Sequence, residues 1–160
     1  FLITHSPYML RSYCPAQPKP LIFSRENNVP SIQYSDKLGL LTNQKPSLGE
    51  ITYFAFGISS PEFHDELWGE IHHLINPATE RALNNTLHSN HGLDCDKKWK
   101  RDGKNGLKSE PATLPYYIRN SIHHPENRLN DPYTDDELAE STESLIAVLK
   151  ALQRTQVSNQ

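Results

Sequence analysis

Three side chains suited to phosphodiester chemistry occur close together in the segment Tyr117–His124. Arg119 and His124 are five positions apart, near enough on a helix surface for both side chains to reach one site. A guanidinium stabilises the charge that develops on a reacting phosphate, and an imidazole moves a proton near neutral pH. With the polar Asn120 to orient the site, these residues predict cleavage of RNA through its 2′-hydroxyl group without a metal ion.

The spacing of an arginine and a histidine is weak support by itself, because Arg81 and His88 satisfy a similar spacing. The context of Arg119 is more specific: its helix ends before a proline, and a long helix with a clear start follows. This arrangement resembles the R-x4-6-H motif of HEPN-domain ribonucleases, in which a polar residue follows the arginine. The resemblance implies a helical bundle with Arg119, Asn120 and His124 as catalytic residues, and two copies of the motif joined in a homo-oligomer.

A second candidate site lies at the start of the chain, where the apolar strand Phe1–Thr4 leads into His5, Ser6 and Pro7. In open α/β sheets, ligands bind at the carboxyl ends of the strands. The run resembles the strand after the Walker B strand in ABC-class ATPases of the AAA15/OLD-like kind, where a Thr-His-Ser-Pro turn carries a switch histidine. That resemblance implies that His5 is catalytic and binds the cofactor, through a hydrogen bond to the γ-phosphate of ATP or to the attacking water.

The other parts of a nucleotide site are missing from the sequence. It has no GxxxxGK[ST] phosphate loop and no strand that ends in Asp-Glu, so ATP and Mg²⁺ are expected to be bound mainly by a part of the protein that precedes Phe1. Phe1–Thr4 has the pattern of a buried central strand, which needs neighbouring strands. We therefore expect the chain to be a piece of a larger ATPase and unable to hydrolyse ATP by itself.

The pattern of apolar residues and helix caps predicts a mixed fold with two parts. The pattern predicts an edge hairpin between residues 11 and 41, and the resemblance to ABC-class ATPases implies that residues 1–46 are the C-terminal end of an α/β P-loop ATPase domain. Helical spacing predicts an all-helical domain at residues 47–160, and the resemblance to HEPN ribonucleases implies that this domain is HEPN-like. Its helices are predicted to begin at Ser47 and Ser60, to span Leu114–His124, and to begin again at Thr134, where Glu137 completes a capping box.

The composition favours a soluble protein with a modest core, since 36% of the residues are hydrophobic and the mean hydropathy is -0.67. A net charge of -3 gives no overall attraction to nucleic acid.

The basic segment 88–110 predicts a mobile loop that either holds an RNA backbone, with Trp99 stacked on a base, or is only a linker. Two distant cysteines and the lack of an apolar run of about 20 residues indicate the cytoplasm and no membrane span.

The remaining histidines are assigned structural roles. His88, His91 and Cys95 fit no well-defined zinc module, so no metal site is expected. His64 is predicted to be partly buried and hydrogen-bonded, and His123 to interact with the C-terminal end of its helix.

Together these features predict part of an ATP-hydrolysing ABC-class ATPase, similar to prokaryotic antiphage defence proteins, whose helical domain cleaves RNA. The alternative is a helical domain that only dimerises or binds a partner. A third interpretation treats the Thr4–Pro7 turn as accidental and the chain as a standalone nuclease toxin.

Overall fold

The computed structural model describes residues 6, 21–26, 29–34, 38–41, 46–104 and 106–158. Within these ranges the chain has five helices and two antiparallel sheets of two strands each, so the predicted mixed class is confirmed. In chain order the elements are β1 (Leu21–Glu26), β2 (Val29–Tyr34), α1 (Leu48–Phe56), α2 (Pro61–Ile75), α3 (Glu80–His91), β3 (Lys97–Gly103), β4 (Gly106–Ala112), α4 (Leu114–His123) and α5 (Asp135–Ser158).

The chain divides by its internal contacts into two compact units, Phe1–Phe63 and His64–Gln160. His5 and the strand predicted at Phe1–Thr4 lie outside the described residues. The role of His5 toward ATP and the domain boundary at residue 46 therefore stay predictions.

The first unit contains the predicted hairpin and a capped helix. Strands β1 and β2 pair in antiparallel register, with Phe23 opposite Ile32. Helix α1 begins after Ser47, whose hydroxyl accepts a hydrogen bond from the Glu50 amide at 3.0 Å. The helix ends at Gly57, whose φ of 67° is favourable only without a Cβ atom. Local turn chemistry thus sets both ends of α1.

The second unit has an apolar core to which α2, α3, α4 and α5 all contribute. The completely buried aliphatic side chains of this core are Leu67, Ile71, Leu83, Leu87, Ile118, Leu145 and Leu149. Most of them occur in pairs four residues apart, which places both members on one face of their helix. Burial of each such side chain stabilises the unit by roughly 1.5–3 kcal/mol.

Strands β3 and β4 form an antiparallel hairpin in the basic segment. Their side chains alternate between two faces: Trp99 is only 3% exposed, whereas its neighbours Lys98 and Lys100 are exposed. The predictions of a mobile loop at 88–110 and of an all-helical region at 47–160 are therefore wrong. The lysines conceal the period-two pattern, because only one residue of β3 is fully apolar and buried.

Helix α3 is also missed by the sequence pattern, because most of its residues are polar. Its start is set by Thr79, whose hydroxyl accepts a hydrogen bond from the Ala82 amide at 3.1 Å. Its end is set by Gly92, which has a φ of 71°. His88 and His91 therefore lie in the last turn of a helix and not in a loop.

The last two helices agree closely with their predicted bounds. Helix α4 ends at His123, two residues before Pro125. At the start of α5 the Thr134 hydroxyl accepts a hydrogen bond from the Glu137 amide at 3.2 Å, and the Glu137 carboxylate accepts one from the Thr134 amide at 2.9 Å. This is the predicted capping box. None of the helices in the described ranges combines the length and apolar character needed to span a membrane.

Replacing Thr134 with alanine is expected to lower the free energy of unfolding by about 1 kcal/mol, since it removes the hydroxyl that caps α5. The change is measured by urea unfolding of the full chain. Thr134→Ser keeps the hydroxyl and is the matched control, with an expected change below about 0.5 kcal/mol. Equal losses in the two variants would contradict the capping role.

Candidate functional site

The C-terminal turn of α4 presents chemically useful side chains on two sides. Residues five apart on an α-helix are separated by about 140° around the axis, and residues four apart by about 40°. Arg119 therefore shares a side with His123, and Asn120 shares the other side with His124. The sequence-based expectation that Arg119 and His124 reach one site is not met within this chain, because each lines a different cleft.

The two clefts differ in size and lining. We call the smaller one, of about 280 Å³, the Arg119 cleft; its side chains include Asp65, Trp68, His72, Glu80, Arg119 and His123. We call the larger one, of about 520 Å³, the His124 cleft; its side chains include Trp99, Arg101, Tyr116, Asn120, His124 and Arg128.

Arg119 is held by two partners. Its Nη2 donates to Glu80 Oε1 at 3.2 Å, and its Nη1 donates to Asn120 Oδ1 at 3.2 Å. Glu80 is in turn held by Trp68, whose Nε1 donates to Oε2 at 2.6 Å. Arg119 Nε is buried and has no hydrogen-bond partner within the described part of the chain. Arg119 thus positions the Asn120 amide.

His123 makes a contact that its sequence position did not indicate. Its Nε2 lies 2.6 Å from Asp65 Oδ1 of α2, and both side chains are about 40% exposed. The sequence interpretation gave His123 a role only at its own helix end. His123 follows Arg119 by four residues, and residues four apart lie on the same side of a helix. This spacing could have predicted from sequence that both residues line one cleft.

His124 is the exposed imidazole of the larger cleft. It caps the C-terminus of α4, and its side chain is 51% exposed. Its Nδ1 lies 3.4 Å from Glu126 Oε1, and its ring centre lies 6.3 Å from that of the buried Trp99. With Nδ1 turned toward a carboxylate, Nε2 is the nitrogen available for proton transfer to a ligand.

Asn120 connects the two clefts. It is 4% exposed and lines the His124 cleft, while its Oδ1 accepts the bond from Arg119. Its Nδ2 has no partner at hydrogen-bonding geometry among the described residues. The orienting role predicted for Asn120 is consistent with this position.

The segment that follows His124 is fastened to the edge of β3. Lys100 donates its backbone N–H to Asn130 Oδ1 at 2.8 Å, and its carbonyl oxygen accepts bonds from Asn127 Nδ2 at 2.9 Å and Asn130 Nδ2 at 2.8 Å. Side-chain amides therefore replace the missing strand at this edge. They hold one wall of the His124 cleft against the hairpin.

The opposite wall contains a group of paired polar side chains. The Tyr116 hydroxyl donates to Glu110 Oε1 at 2.9 Å, and Arg101 and Arg81 lie 3.8 and 3.6 Å from Glu110 Oε2. Burial raises the pKa of the Tyr116 phenol, an effect that the Asn120 amide partly opposes. Tyr116 therefore stays protonated at neutral pH and acts as a hydrogen-bond donor.

The other histidines predicted from sequence have separate environments. The predicted hydrogen bond of His64 is present, from its Nε2 to Ser141 Oγ at 2.8 Å, but the side chain is completely buried and not partly buried as expected. His88 Nδ1 lies 2.8 Å from the Leu93 carbonyl oxygen, and His88 lines neither cleft. Burial raises the pKa of the Cys95 thiol. Among the described residues no group of three or more potential ligands is arranged to hold a metal ion.

Comparison of the chain with protein-family models, with curated proteins and with solved structures gave no match in any of the three. The function therefore has to be inferred from the residues and geometry of the chain itself.

Proposed function

We propose that the chain is part of an ABC-class, OLD-like ATPase and that its His64–Gln160 unit is a HEPN-like module that cleaves RNA without a metal ion. The observation that carries the nuclease proposal is the lining of the His124 cleft. It includes a half-exposed imidazole, the Asn120 amide, the guanidinium groups of Arg101 and Arg128, and the carboxylates of Asp102, Glu110 and Glu126. ATP and Mg²⁺ are assigned mainly to other parts of that ATPase, with His5 as the contribution of this chain. An antiphage role follows from the resemblance alone.

The reaction assigns a separate task to each group. His124 Nε2 takes the proton from the ribose 2′-hydroxyl, the 2′-oxygen attacks the adjacent phosphorus, and the bond to the 5′-oxygen breaks. The products are a 2′,3′-cyclic phosphate and a 5′-hydroxyl, whose proton comes from a general acid. The resemblance to HEPN nucleases implies that a second copy of the motif in a homo-oligomer supplies this acid.

The cation contacts support a modified role for Arg119. Its guanidinium is paired with Glu80 in the other cleft, so in this chain it orients Asn120. The cations that line the His124 cleft are Arg101 and Arg128. The same ion pair favours the second candidate function, a non-catalytic dimerisation or partner-binding module, because it occupies the guanidinium that the sequence motif assigned to catalysis.

Cleavage of a labelled single-stranded RNA and of tRNA by the full-length protein, with EDTA present, distinguishes the two functions. We expect products with 2′,3′-cyclic phosphate ends and a loss of about 100-fold in rate for His124→Ala. His73→Ala is the matched control, because His73 is an exposed histidine of α2 outside both clefts and its loss should leave the rate unchanged.

Several outcomes decide against this mechanism. Cleavage that needs a divalent metal would overturn it, and cleavage that survives His124→Ala would remove the reaction from the His124 cleft. If such cleavage is lost in His123→Ala, the reaction belongs in the Arg119 cleft. Binding of RNA or of a partner without any cleavage would favour the non-catalytic module.

A further inference from the structure

The two edges of the β3–β4 hairpin differ in how their backbone groups are satisfied. The edge of β3 is closed at Lys100, because its N–H and C=O are bonded to the side-chain amides of Asn127 and Asn130. In an antiparallel pair, a residue whose backbone groups point away from the partner strand is opposite a residue whose groups also point away. Lys100 is opposite Ser109, so the N–H and C=O of Ser109 point outward from the edge of β4.

The outward positions of β4 recur at every second residue, which adds Leu107 and Pro111 to Ser109. Pro111 agrees with this assignment, since it has no N–H and its carbonyl oxygen accepts a hydrogen bond from Asn84 Nδ2 at 3.3 Å. Leu107 and Ser109 are exposed, and their outward backbone groups have no hydrogen bond to any described residue. We call these two N–H and two C=O groups the open edge; they are arranged to pair with another strand.

The open edge belongs to a segment with a net positive charge. Residues 97–112 contain six basic and two acidic side chains and so carry +4, although the whole chain carries -3. Lys108 lies on the edge strand itself, is exposed, and has no ion pair with any residue that the structure describes. A strand that pairs with β4 places a side chain directly opposite Lys108, where a negative charge stabilises the pair and a positive charge destabilises it.

These features disfavour a second copy of the chain and a nucleic acid as occupants. The register that uses Leu107 and Ser109 of both copies places the two Lys108 side chains opposite each other, and a lysine on an edge strand is a common means of preventing such pairing. A nucleic acid has no row of N–H groups for the outward carbonyl oxygens. An extended peptide is the occupant that uses all four groups of the open edge.

The side chains of β4 also indicate which side chains this peptide carries. Leu107 is 62% exposed and shares its face of the hairpin with Ser109, whereas Lys108 is on the other face. Because cross-strand neighbours share a face, the peptide residues opposite Leu107 and Ser109 are apolar and the residue opposite Lys108 is acidic.

We propose that the open edge of β4 binds an extended peptide of a partner protein, with alternating acidic and apolar side chains, as a third strand of the β3–β4 sheet. The inference goes beyond the proposed nuclease function and does not depend on it, since Leu107, Lys108 and Ser109 do not line the His124 cleft.

The test uses the full chain and a fluorescent peptide of alternating glutamate and valine residues, with binding measured by fluorescence anisotropy. The matched control is the same peptide with N-methyl groups on the valine amides, which are the amides that would donate to β4. We expect the methylated peptide to bind at least about tenfold more weakly, because main-chain hydrogen bonds supply the affinity in this mode of binding. The unmethylated peptide should also slow hydrogen exchange at the amides of Leu107 and Ser109.

Two variants separate the contributions of backbone and charge. Ser109→Pro removes an outward N–H and no hydrogen bond within the hairpin, and should weaken binding of the glutamate–valine peptide at least about tenfold. Lys108→Glu places a carboxylate opposite Arg101, which favours the hairpin, and should make a lysine–valine peptide bind better than the glutamate–valine peptide. Lys150→Glu makes the same charge change on an exposed residue of α5 and should alter the affinity less than about twofold.

Several results would overturn the inference. These are no binding of the glutamate–valine peptide to the unaltered chain, equal binding of the methylated peptide, and an unchanged preference between the two peptides in Lys108→Glu. Slower exchange at Leu107 and Ser109 with a single-stranded RNA but not with the peptide would assign the open edge to nucleic acid instead. If Ser109→Pro does not fold, the methylated peptide and Lys108→Glu still decide.

Discussion

Replacing Asn84 with alanine is expected to lower the free energy of unfolding by about 3 kcal/mol. Asn84 is 2% exposed, and its Oδ1 accepts hydrogen bonds from the Thr113 backbone N–H at 2.9 Å and from the Thr113 hydroxyl at 3.0 Å. Its Nδ2 donates to the Pro111 carbonyl oxygen at 3.3 Å. This one side chain therefore ties α3 to the junction between β4 and α4.

The large expected loss has a specific cause. Thr113 is completely buried, so without Asn84 its N–H would have neither a protein partner nor water. Each buried polar group left in this way costs about 1–3 kcal/mol. The Thr113 hydroxyl also accepts the bond from the Tyr116 amide that caps α4, so its orientation affects the start of the helix that carries the candidate site.

Urea unfolding of the full chain, followed by tryptophan fluorescence, measures this loss in the relevant unit. The chain has two tryptophans, Trp68 and Trp99, and both lie in the His64–Gln160 unit. Asn85→Ala is a matched control, because Asn85 is the exposed neighbour on the same helix and its replacement should change stability by less than about 0.5 kcal/mol. Similar results for the two alanine variants would contradict the role of Asn84.

Stability is also expected to fall by about 3 kcal/mol between pH 6.5 and pH 4 because of His64. Burial lowers the pKa of His64 from 6.5 to about 4, although Asp65 opposes the shift. Its Nε2 is hydrogen-bonded to Ser141, and its Nδ1 has no partner among the described residues. The folded protein therefore has no favourable environment for a charged imidazolium at this position.

The direction follows from where the proton binds first. Above pH 6.5 the imidazole is neutral in both states, and the full stability is present. As the pH falls from 6.5 toward 4, the unfolded chain takes up a proton and the folded chain does not, so the unfolded state is favoured. Lys97, hydrogen-bonded to Glu137, lowers the pKa of that carboxyl, and its contribution is lost only as the pH falls below about 4.5. The contribution of this carboxyl therefore lies outside the pH range 7 to 5 in which His64 is measured.

Unfolding curves measured at several pH values between 7 and 5 check this prediction. His64→Gln removes the titrating group and keeps a polar side chain near Ser141, so its stability should vary less with pH than that of the unaltered chain. His73→Gln removes an exposed histidine and should leave the pH dependence unchanged. If His64→Gln has the same slope as the unaltered chain, His64 is not the group responsible.

The ends of several helices could be predicted from sequence because the signals act over a few residues. The predicted Thr134–Glu137 capping box involves groups three positions apart, and the structure has both of its hydrogen bonds. The helix predicted to begin at Ser47 has its cap at that residue, with a bond that also spans three positions. The hairpin β3–β4 could not be predicted in this way. Its buried face depends on Trp99, which packs edge-on against Tyr117 at 5.7 Å between ring centres, a contact with a distant element.

The candidate site was predicted in its position along the chain but not in its arrangement. Arg119, Asn120 and His124 do lie at the end of a helix, yet Arg119 and His124 line different clefts. The sequence analysis assigned His123 only an interaction with the end of its own helix. Its contact with Asp65 was missed because the two residues are 58 positions apart in the sequence. A local sequence pattern cannot predict a contact between residues so far apart.

The chemistry available at the end of α4 and the bounds of that helix could be predicted from sequence, because both depend on residue type and on neighbours within about one turn. The cation that lines the same cleft as each histidine depends on the packing of the whole unit. A spacing of four or five fixes the angle between side chains on one helix, but the partners on other helices are set by packing of the core. For this reason Arg119 is paired with Glu80, whereas Arg101 and Arg128 line the cleft of His124.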